Sequence, residues 1–359
     1  MKRHIIFGLA ALAAIAAPPL AGQGNAEEKL KVAFIEFAQT SGSSWVRANF
    51  EGTKYLEAHD PNIEVTRVDA ISEGPNVVPV MNSLIAKGNT VLFLNGYGFG
   101  TFVPEVAKKH PDVHFVVQMS EPTGPNITSY YGKLEEARYL EGVLAGKMTK
   151  TNVIGFVGGF PYSPVVSGAN AFTLGVRSVN PQAKVIATWA NSWYDPPKEK
   201  EAADSVLAAG ADIVVNHCDS SATLQAAAAK GKWGMTSNAD WSSAAPAAFL
   251  SGTAWNWGPY YVKIVKEIEE KKFDTTRYIG SLADGIVTLL PFNSAVPEDA
   301  RQAVEAAKKK IISGELKIFA GPMEDNQGKL RIPAGQVMDH AEATAKMDWL
   351  VAGIQGSTK

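Results

Sequence analysis

The sequence predicts an α/β protein with two doubly wound lobes joined by a hinge. Seven short apolar runs rich in β-branched residues alternate with helical segments, and 46% of the 359 residues are apolar, enough for two cores. Most runs are continuously apolar rather than alternating, which is typical of parallel strands covered on both faces. Alternating strands and helices predict parallel sheets with helices on both sides.

The predicted strands all lie between residues 31 and 217. They are residues 31–37 (KVAFIEF), 63–70, 90–96, 114–119, 152–159, 184–190 and 211–217. One predicted helix follows Pro197, has acidic residues in its first turn and stops before Gly210, and another begins at 296–300 and stops at Gly314.

Residues 1–26 have the pattern of a secretory signal peptide. A basic start precedes an apolar run from Ile5 to Ala17 and then small residues. The run is shorter than the roughly 20 residues that span a bilayer. Residues 20–23 (LAGQ) resemble a lipoprotein cleavage box in which glutamine replaces the lipidated cysteine. We therefore expect a soluble, periplasmic mature protein.

Polar residues 147–152 suggest the boundary between the lobes, because they follow a predicted helix and precede a strand. The first lobe is expected to comprise residues 27–149 and about 278–325, where β character resumes after a helix at 260–271. The second lobe is expected to comprise residues 150–277 and about 326–359.

Charge and motif content exclude several classes of function. Basic and acidic residues nearly balance, 34 against 36, which leaves no basic field for nucleic acid. Cys218 is the single cysteine, and its neighbour His217 would point to the opposite face of a strand, so the two cannot form a nucleophilic pair. The six histidines are scattered and make no helical zinc pair. We expect no catalytic residue, no metal ion and no cofactor.

Aromatic and polar side chains accumulate where predicted strands end. Any one of them is more often part of the core, and each aspartate is alternatively the cap of a following helix. Several together at the ligand-binding edge of parallel sheets favour a flat, uncharged ligand that stacks and forms hydrogen bonds. The candidates from this pattern are Trp45, Tyr97, Phe160, Trp193, Asp219 and Asp240.

The chain resembles the basic membrane protein (BMP) family of substrate-binding proteins of ABC importers. The resemblance is carried by residues 32–37 (VAFIEF), 130–148 (YYGKLEEARYLEGVLAGKM), 154–181, 189–203 and 253–261 (TAWNWGPYY). It implies a type I periplasmic binding protein fold that closes two lobes on a purine, a membrane permease as partner, and a monomer. The aromatic residue of the family's first loop falls on Trp45, and the acid of its G-x-D-S-D motif falls on Asp240.

Two departures from the family pattern bear on the ligand. Residues 42–46 (GSSWV) replace an Asp-Lys-Ser-Phe-Asn stretch, and residues 250–257 (LSGTAWNW) lack the lysine that follows L-T-S in nucleoside-binding members. The resemblance therefore implies a free base, namely adenine, hypoxanthine, xanthine or guanine. The alternatives are a nucleoside- or sugar-binding protein and, in another class, a secreted nucleoside hydrolase.

The aromatic segment 253–261 supplies the last two candidates. Trp255 and Trp257 would share one side only if the segment were extended, since in a helix they would diverge. We expect Asn256 and Trp257 to contact the ligand and Trp255 to pack in the core.

Overall fold

The structure is a computed structural model that describes residues 29–359, so the predicted signal peptide lies outside it. The chain begins with β1 (Leu30–Glu36), α1 (Ser44–His59), β2 (Ile63–Val68), α2 (Val77–Ala86), β3 (Val91–Asn95), a 3-10 helix (Tyr97–Phe102), α3 (Val103–Lys109), β4 (His114–Gln118) and β5 (Ile127–Gly132). It continues with α4 (Leu134–Met148), β6 (Val153–Gly158), α5 (Ser163–Val179), β7 (Lys184–Trp189), α6 (Pro196–Ala208), β8 (Ile213–His217), α7 (Ala222–Ala229), β9 (Trp233–Thr236), a 3-10 helix (Ser242–Ala244) and β10 (Phe249–Trp255).

The remaining elements complete two large sheets and add a small two-stranded sheet. They are α8 (Gly258–Glu269), β11 (Tyr278–Gly280), β12 (Val287–Leu289), α9 (Glu298–Ile312), β13 (Met323–Glu324), β14 (Leu330–Ile332), α10 (His340–Lys346) and β15 (Ile354–Gln355). The small sheet consists of β13 and β14. All seven predicted strands are confirmed, with ends that differ by at most a few residues.

Two large sheets organise the chain. The first has the order β11-β5-β4-β3-β1-β2, and the second has the order β12-β10-β9-β8-β6-β7-β15. Neighbouring strands run parallel, except that β12 is antiparallel to β10. β3 and β5 are buried along their whole length, as parallel strands between two helical layers must be. The predicted α/β class with doubly wound sheets is confirmed.

Local sequence explains where α6 begins and ends. The side chain of Asp195 accepts from the Lys198 N–H at 3.1 Å, and prolines occupy the first two helical positions, where no intrahelical N–H bond is lost. After the helix, Gly210 adopts a φ of +99°, a conformation that residues with a side chain rarely adopt.

Close helix packing places α4 beside the second sheet. α4 packs against α5, and a Cβ added at Gly142 would lie 2.0 Å from the Phe172 carbonyl oxygen. A Cβ added at Gly175 would lie equally close to the Tyr139 carbonyl oxygen, so glycine at both positions lets the two backbones touch. We therefore propose that the change of lobe comes before α4, whereas the sequence analysis expected it after this helix, at 147–152. A helix–helix contact across 30 residues leaves no local signal in the sequence.

The chain crosses between the sheets three times. It leaves the first sheet between β5 and α4, returns between β10 and α8, which packs against α1, and leaves again between β11 and β12. We therefore propose lobes of residues 29–132 with 258–280, and of residues 134–255 with 287–359. Residues 278–325 were expected to return to the first lobe. Within this segment β11 joins the first sheet, while β12 and α9 pack with the second.

Candidate ligand-binding site

Trp45 lies at the start of α1, where the first lobe faces the second. Ser43 caps the helix by accepting from the Val46 N–H at 3.3 Å. The Trp45 side chain is half-buried, and its Nε1 donates to Oε1 of Gln118 at 2.9 Å. Its ring meets the Trp255 ring edge-on at 5.8 Å between centroids. Trp45 therefore contacts residues at the ends of strands in both sheets.

Asp219 joins the two lobes directly. This buried carboxylate follows β8 and accepts from Ser43 Oγ at 2.7 Å, from Ser44 Oγ at 3.1 Å and from the Trp45 N–H. Burial raises the pKa of Asp219, and these hydrogen bonds act in the opposite direction. The carboxylate thus binds the N-terminus of α1 in the other lobe, where a helix favours negative charge, rather than capping α7, the helix that follows it.

Asn238 completes this cluster, and the sequence reasoning missed it. Its Nδ2 lies 3.1 Å from Ser44 Oγ and 3.3 Å from Asp219 Oδ1, and its Oδ1 accepts from Trp255 Nε1 at 3.0 Å. Asn238 has a φ of +67°, a left-handed conformation that asparagine tolerates and that is enriched at functional sites. Residues 234–238 (GMTSN) fit the G-x-D-S-D spacing with asparagine in the last place, a signal that could have identified Asn238.

The first-loop residues Ser43, Ser44 and Trp45, together with Asp219, Asn238 and Trp255, are called the interlobe cluster below. Its members come from both lobes and offer an indole face, hydroxyl groups, an amide and a carboxylate. Such a set suits a planar ligand with hydrogen-bonding edges.

Phe160 and Trp193 form an aromatic rim beside the cluster. The Phe160 ring stacks on Tyr162 at 5.3 Å and meets Trp193 edge-on at 5.1 Å. The carbonyl of Trp193 accepts from the Asp219 N–H at 2.8 Å, which ties the rim to the interlobe cluster. Tyr194 reaches toward Gly42 of the first lobe, where an added Cβ would lie 3.4 Å from its ring.

Three exposed sequence candidates belong neither to the interlobe cluster nor to the aromatic rim. Tyr97 is 67% exposed, and Asn256 is exposed with its Nδ2 donating to the Gly285 carbonyl at 3.3 Å. Asp240 is also exposed and accepts from the Ser242 N–H at 2.7 Å, which is the local bond of an Asx turn. For Asp240 and Asn256, these hydrogen bonds with the backbone engage the polar side-chain atoms that were expected to face the ligand.

Trp255, rather than Trp257, lies beside Trp45, although both tryptophans are buried. The segment 253–261 changes from strand to helix. Trp255 ends β10, Asn256 lies between the two elements, and Trp257 occupies the N-cap position of α8. This turn stacks the two indole rings at 4.9 Å with 14° between their planes. Trp257 is fully buried and meets Tyr130 edge-on, whereas Trp255 contacts Trp45 and Asn238. Trp257 therefore belongs to the core, and Trp255 is the better candidate for the site.

A buried ion pair holds the strand ends that carry Asp219 and Asn238. Arg138 Nη1 lies 2.5 Å from Glu141 Oε2, and both side chains are completely buried. Nη2 of Arg138 donates to the Asn216 carbonyl at 2.9 Å and to Ser237 Oγ at 2.8 Å. Burial raises the pKa of Glu141 to about 7, against the effect of Arg138. This pair fixes the residues immediately before the two site loops.

Cys218 and the potential metal ligands do not form a reactive centre in the part of the chain that the structure describes. Cys218 is buried, and burial raises the pKa of its thiol, which disfavours the nucleophilic thiolate. Among residues 29–359, no group of three or more His, Cys, Asp or Glu side chains could hold a metal ion. In the same part of the chain, no helix combines the length and apolar character needed to cross a membrane.

Comparison with known proteins identifies the family. Residues 29–320 match the Bmp family, described as ABC transporter substrate-binding protein PnrA-like. A purine-binding protein of Brucella abortus (strain 2308) is 33% identical over 344 residues, 96% of this chain and 98% of that protein. An ABC transporter nucleoside-binding protein of Lactococcus lactis subsp. cremoris (strain MG1363) is 34% identical over 134 residues, 37% of this chain and 38% of that protein.

A solved structure supports the same relationship. An ABC transporter solute-binding protein from Conexibacter woesei superimposes with a TM-score of 0.70 and 25% identity, over 80% of this chain and 97% of that one. The expected BMP resemblance is confirmed, and the chain belongs to the Bmp family of ABC transporter substrate-binding proteins.

Proposed function

We propose that this protein binds a free purine base in the periplasm, between its two lobes, and delivers it to an ABC permease in the membrane. Family members bind a small molecule and work with such a permease. The interlobe position of Trp45 carries the proposal, because this half-buried indole lies beside hydrogen-bonding groups of the opposite lobe. Stacking of a base on an aromatic ring contributes about 1 to 3 kcal/mol.

The chemistry of the cluster favours a base over a charged ligand. Asn238 and the serines can donate or accept hydrogen bonds, and the Asp219 carboxylate, which is bonded to these protein groups, adds a negative charge beside the site. A phosphate would meet this carboxylate with no basic side chain in the interlobe cluster. The 33% identity with a protein named as purine-binding, over nearly the full length of both chains, supports the same ligand class.

A nucleoside is the second candidate, because a relative named as nucleoside-binding matches about a third of the chain. The missing carboxylate and lysine noted in residues 42–46 and 250–257 argue against it. These groups are the ones best suited to ribose hydroxyls.

Titration calorimetry of the mature protein tests the proposal. Adenine, hypoxanthine, xanthine and guanine are compared with inosine, guanosine, ribose and glucose. We expect at least one base to bind more tightly than its nucleoside, by tenfold or more. Tight binding of a nucleoside or sugar without binding of any base would refute the proposal. Incubation with inosine is expected to release no hypoxanthine, and release would identify a hydrolase instead.

A further inference from the structure

Gln118 links the half-buried indole of Trp45 to the interior of the first lobe. Gln118 ends β4 and is completely buried, while Trp45 is only half-buried. The Trp45 Nε1–H donates to Oε1 of Gln118 at 2.9 Å. The buried amide of Gln118, which solvent does not reach, therefore determines the orientation of the Trp45 indole.

The Gln118 amide is itself held by Asn49. Its Nε2 donates to Asn49 Oδ1 at 3.1 Å, and Asn49 Nδ2 donates back to Gln118 Oε1 at 3.2 Å. Asn49 Nδ2 also donates to Glu36 Oε2 at 3.1 Å. The two amides thus form a reciprocal pair between the indole at one end and a buried carboxylate at the other.

The indole end of this chain of hydrogen bonds fixes its direction. The indole N–H can only donate, so it requires the Oε1 oxygen of Gln118 as its acceptor, whatever the charge of Glu36. A Gln118 amide turned the other way would present its NH₂ group to the indole N–H and would leave both without an acceptor. Only one arrangement of the two amides satisfies every buried donor, and unsatisfied buried donors are costly. The indole plane is consequently set by residues on β1, α1 and β4.

We propose that Gln118 is a positioning residue that holds the Trp45 indole in the orientation that stacks on the ligand. This inference rests on the proposed function, in which Trp45 contacts a purine. Gln118, a buried residue that is remote in sequence from the first loop, then controls the affinity of the site for its ligand.

A double-mutant cycle tests the proposal. Gln118→Met keeps the side-chain length but cannot accept from the indole, and Trp45→Phe keeps an aromatic face without the N–H donor. We expect Gln118→Met to weaken binding of the tightest purine base by about tenfold in the natural background. In the Trp45→Phe background the same change should alter affinity less than about twofold. Equal losses in both backgrounds would overturn the proposal.

A ligand-free measurement separates the link between Gln118 and Trp45 from the proposed function. In ¹⁵N NMR spectra, the Trp45 indole N–H is assigned by its absence in Trp45→Phe. It should be protected from solvent exchange in the natural protein and should exchange at least tenfold faster in Gln118→Met. Gln225→Met, an exposed position on α7, is the control and should leave this resonance unchanged.

The two measurements fail in different ways. If no purine binds but the indole N–H loses protection in Gln118→Met, the link stands and the proposed ligand is wrong. Unchanged protection in a folded Gln118→Met protein, judged by its melting temperature, would overturn the positioning role whatever the ligand.

Discussion

Replacing Asp219 with asparagine tests how closure of the lobes depends on one carboxylate. Asp219 accepts from Ser43 Oγ, Ser44 Oγ and the Trp45 N–H, all of which belong to the first lobe. Asparagine keeps the shape, removes the charge and turns one acceptor oxygen into a donor. The serine hydroxyls can rotate to accept from the new NH₂ group, but the Trp45 N–H cannot.

The magnitude follows from two opposing effects. Hydrogen bonds to a charged group contribute about 1.5 to 3 kcal/mol each, against about 0.5 to 1.5 kcal/mol for neutral ones. Burial raises the pKa of Asp219, which shows that desolvation of the carboxylate offsets part of this gain. We therefore expect a net loss near the lower end, about 1.4 kcal/mol, or tenfold in the dissociation constant of the closed complex.

Calorimetry with two bases distinguishes a lobe-to-lobe bond from a ligand contact. The hydrogen bonds of Asp219 go to protein groups, so Asp219→Asn should weaken adenine and hypoxanthine by the same factor. Asp204→Asn on α6, whose carboxylate pairs with exposed Lys200 at 2.5 Å, is the matched control and should bind normally. A change that differs more than threefold between the two bases would refute the reasoning, since it would require direct contact with the ligand.

Four further predictions concern the core, the site, a buried carboxylate and the charge of the ligand. Trp257→Ala should lower the free energy of unfolding by about 3 to 5 kcal/mol, because the side chain is completely buried. Trp45→Ala should weaken base binding at least tenfold and leave the melting temperature nearly unchanged. Burial raises the pKa of Glu36 from 4.5 to about 7, so its contribution to stability is fully present below pH 4.5 and is lost as the pH rises to about 7. Between pH 4.5 and 7.5 the unfolding free energy should therefore fall by about 3 kcal/mol less in Glu36→Gln than in the natural protein, as measured by urea unfolding. Base affinity should change less than threefold between 50 and 500 mM salt, because an uncharged ligand releases few counterions.

Each of these predictions has an outcome that contradicts it. Normal stability of Trp257→Ala would mean that the ring lies outside the core, and normal binding by Trp45→Ala would assign stacking to other rings. An identical pH dependence in Glu36→Gln and the natural protein would show that Glu36 keeps its ordinary pKa. A steep loss of affinity with salt would indicate an anionic ligand such as a nucleotide.

The strands that sequence reasoning found and missed differ in composition. The seven predicted strands are mostly continuous apolar runs, whereas β5 begins with Ile-Thr-Ser, β9 has only four residues, and β10 contains Ser251, Gly252 and Thr253. These three strands depend on their neighbours in the sheet, because each contains glycine, and β5 and β10 also contain serine, which break the apolar run that marks a buried strand.

The same limit applies to the candidate site. Trp45 and Asp219 were identifiable because they follow predicted strands, and Asn238 was identifiable from motif spacing alone. Gln118 and Asn49 gave no such signal, because a buried amide pair 69 residues apart forms only once β4 and α1 are packed together. The roles of Trp255 and Trp257 depended on a change from strand to helix within three residues, which no periodicity can resolve.

The three connections between the sheets have a consequence for a cleaved protein. Residues 283–285, in the third connection, are exposed and open to a protease. A single cut there would leave the other two connections intact, together with the bonds of Asp219. The nicked protein should elute as one species from a sizing column under native conditions and separate into two fragments only in denaturant. Release of either lobe requires all three connections to be cut. The three connections therefore keep the lobes covalently joined while the hinge between them opens and closes.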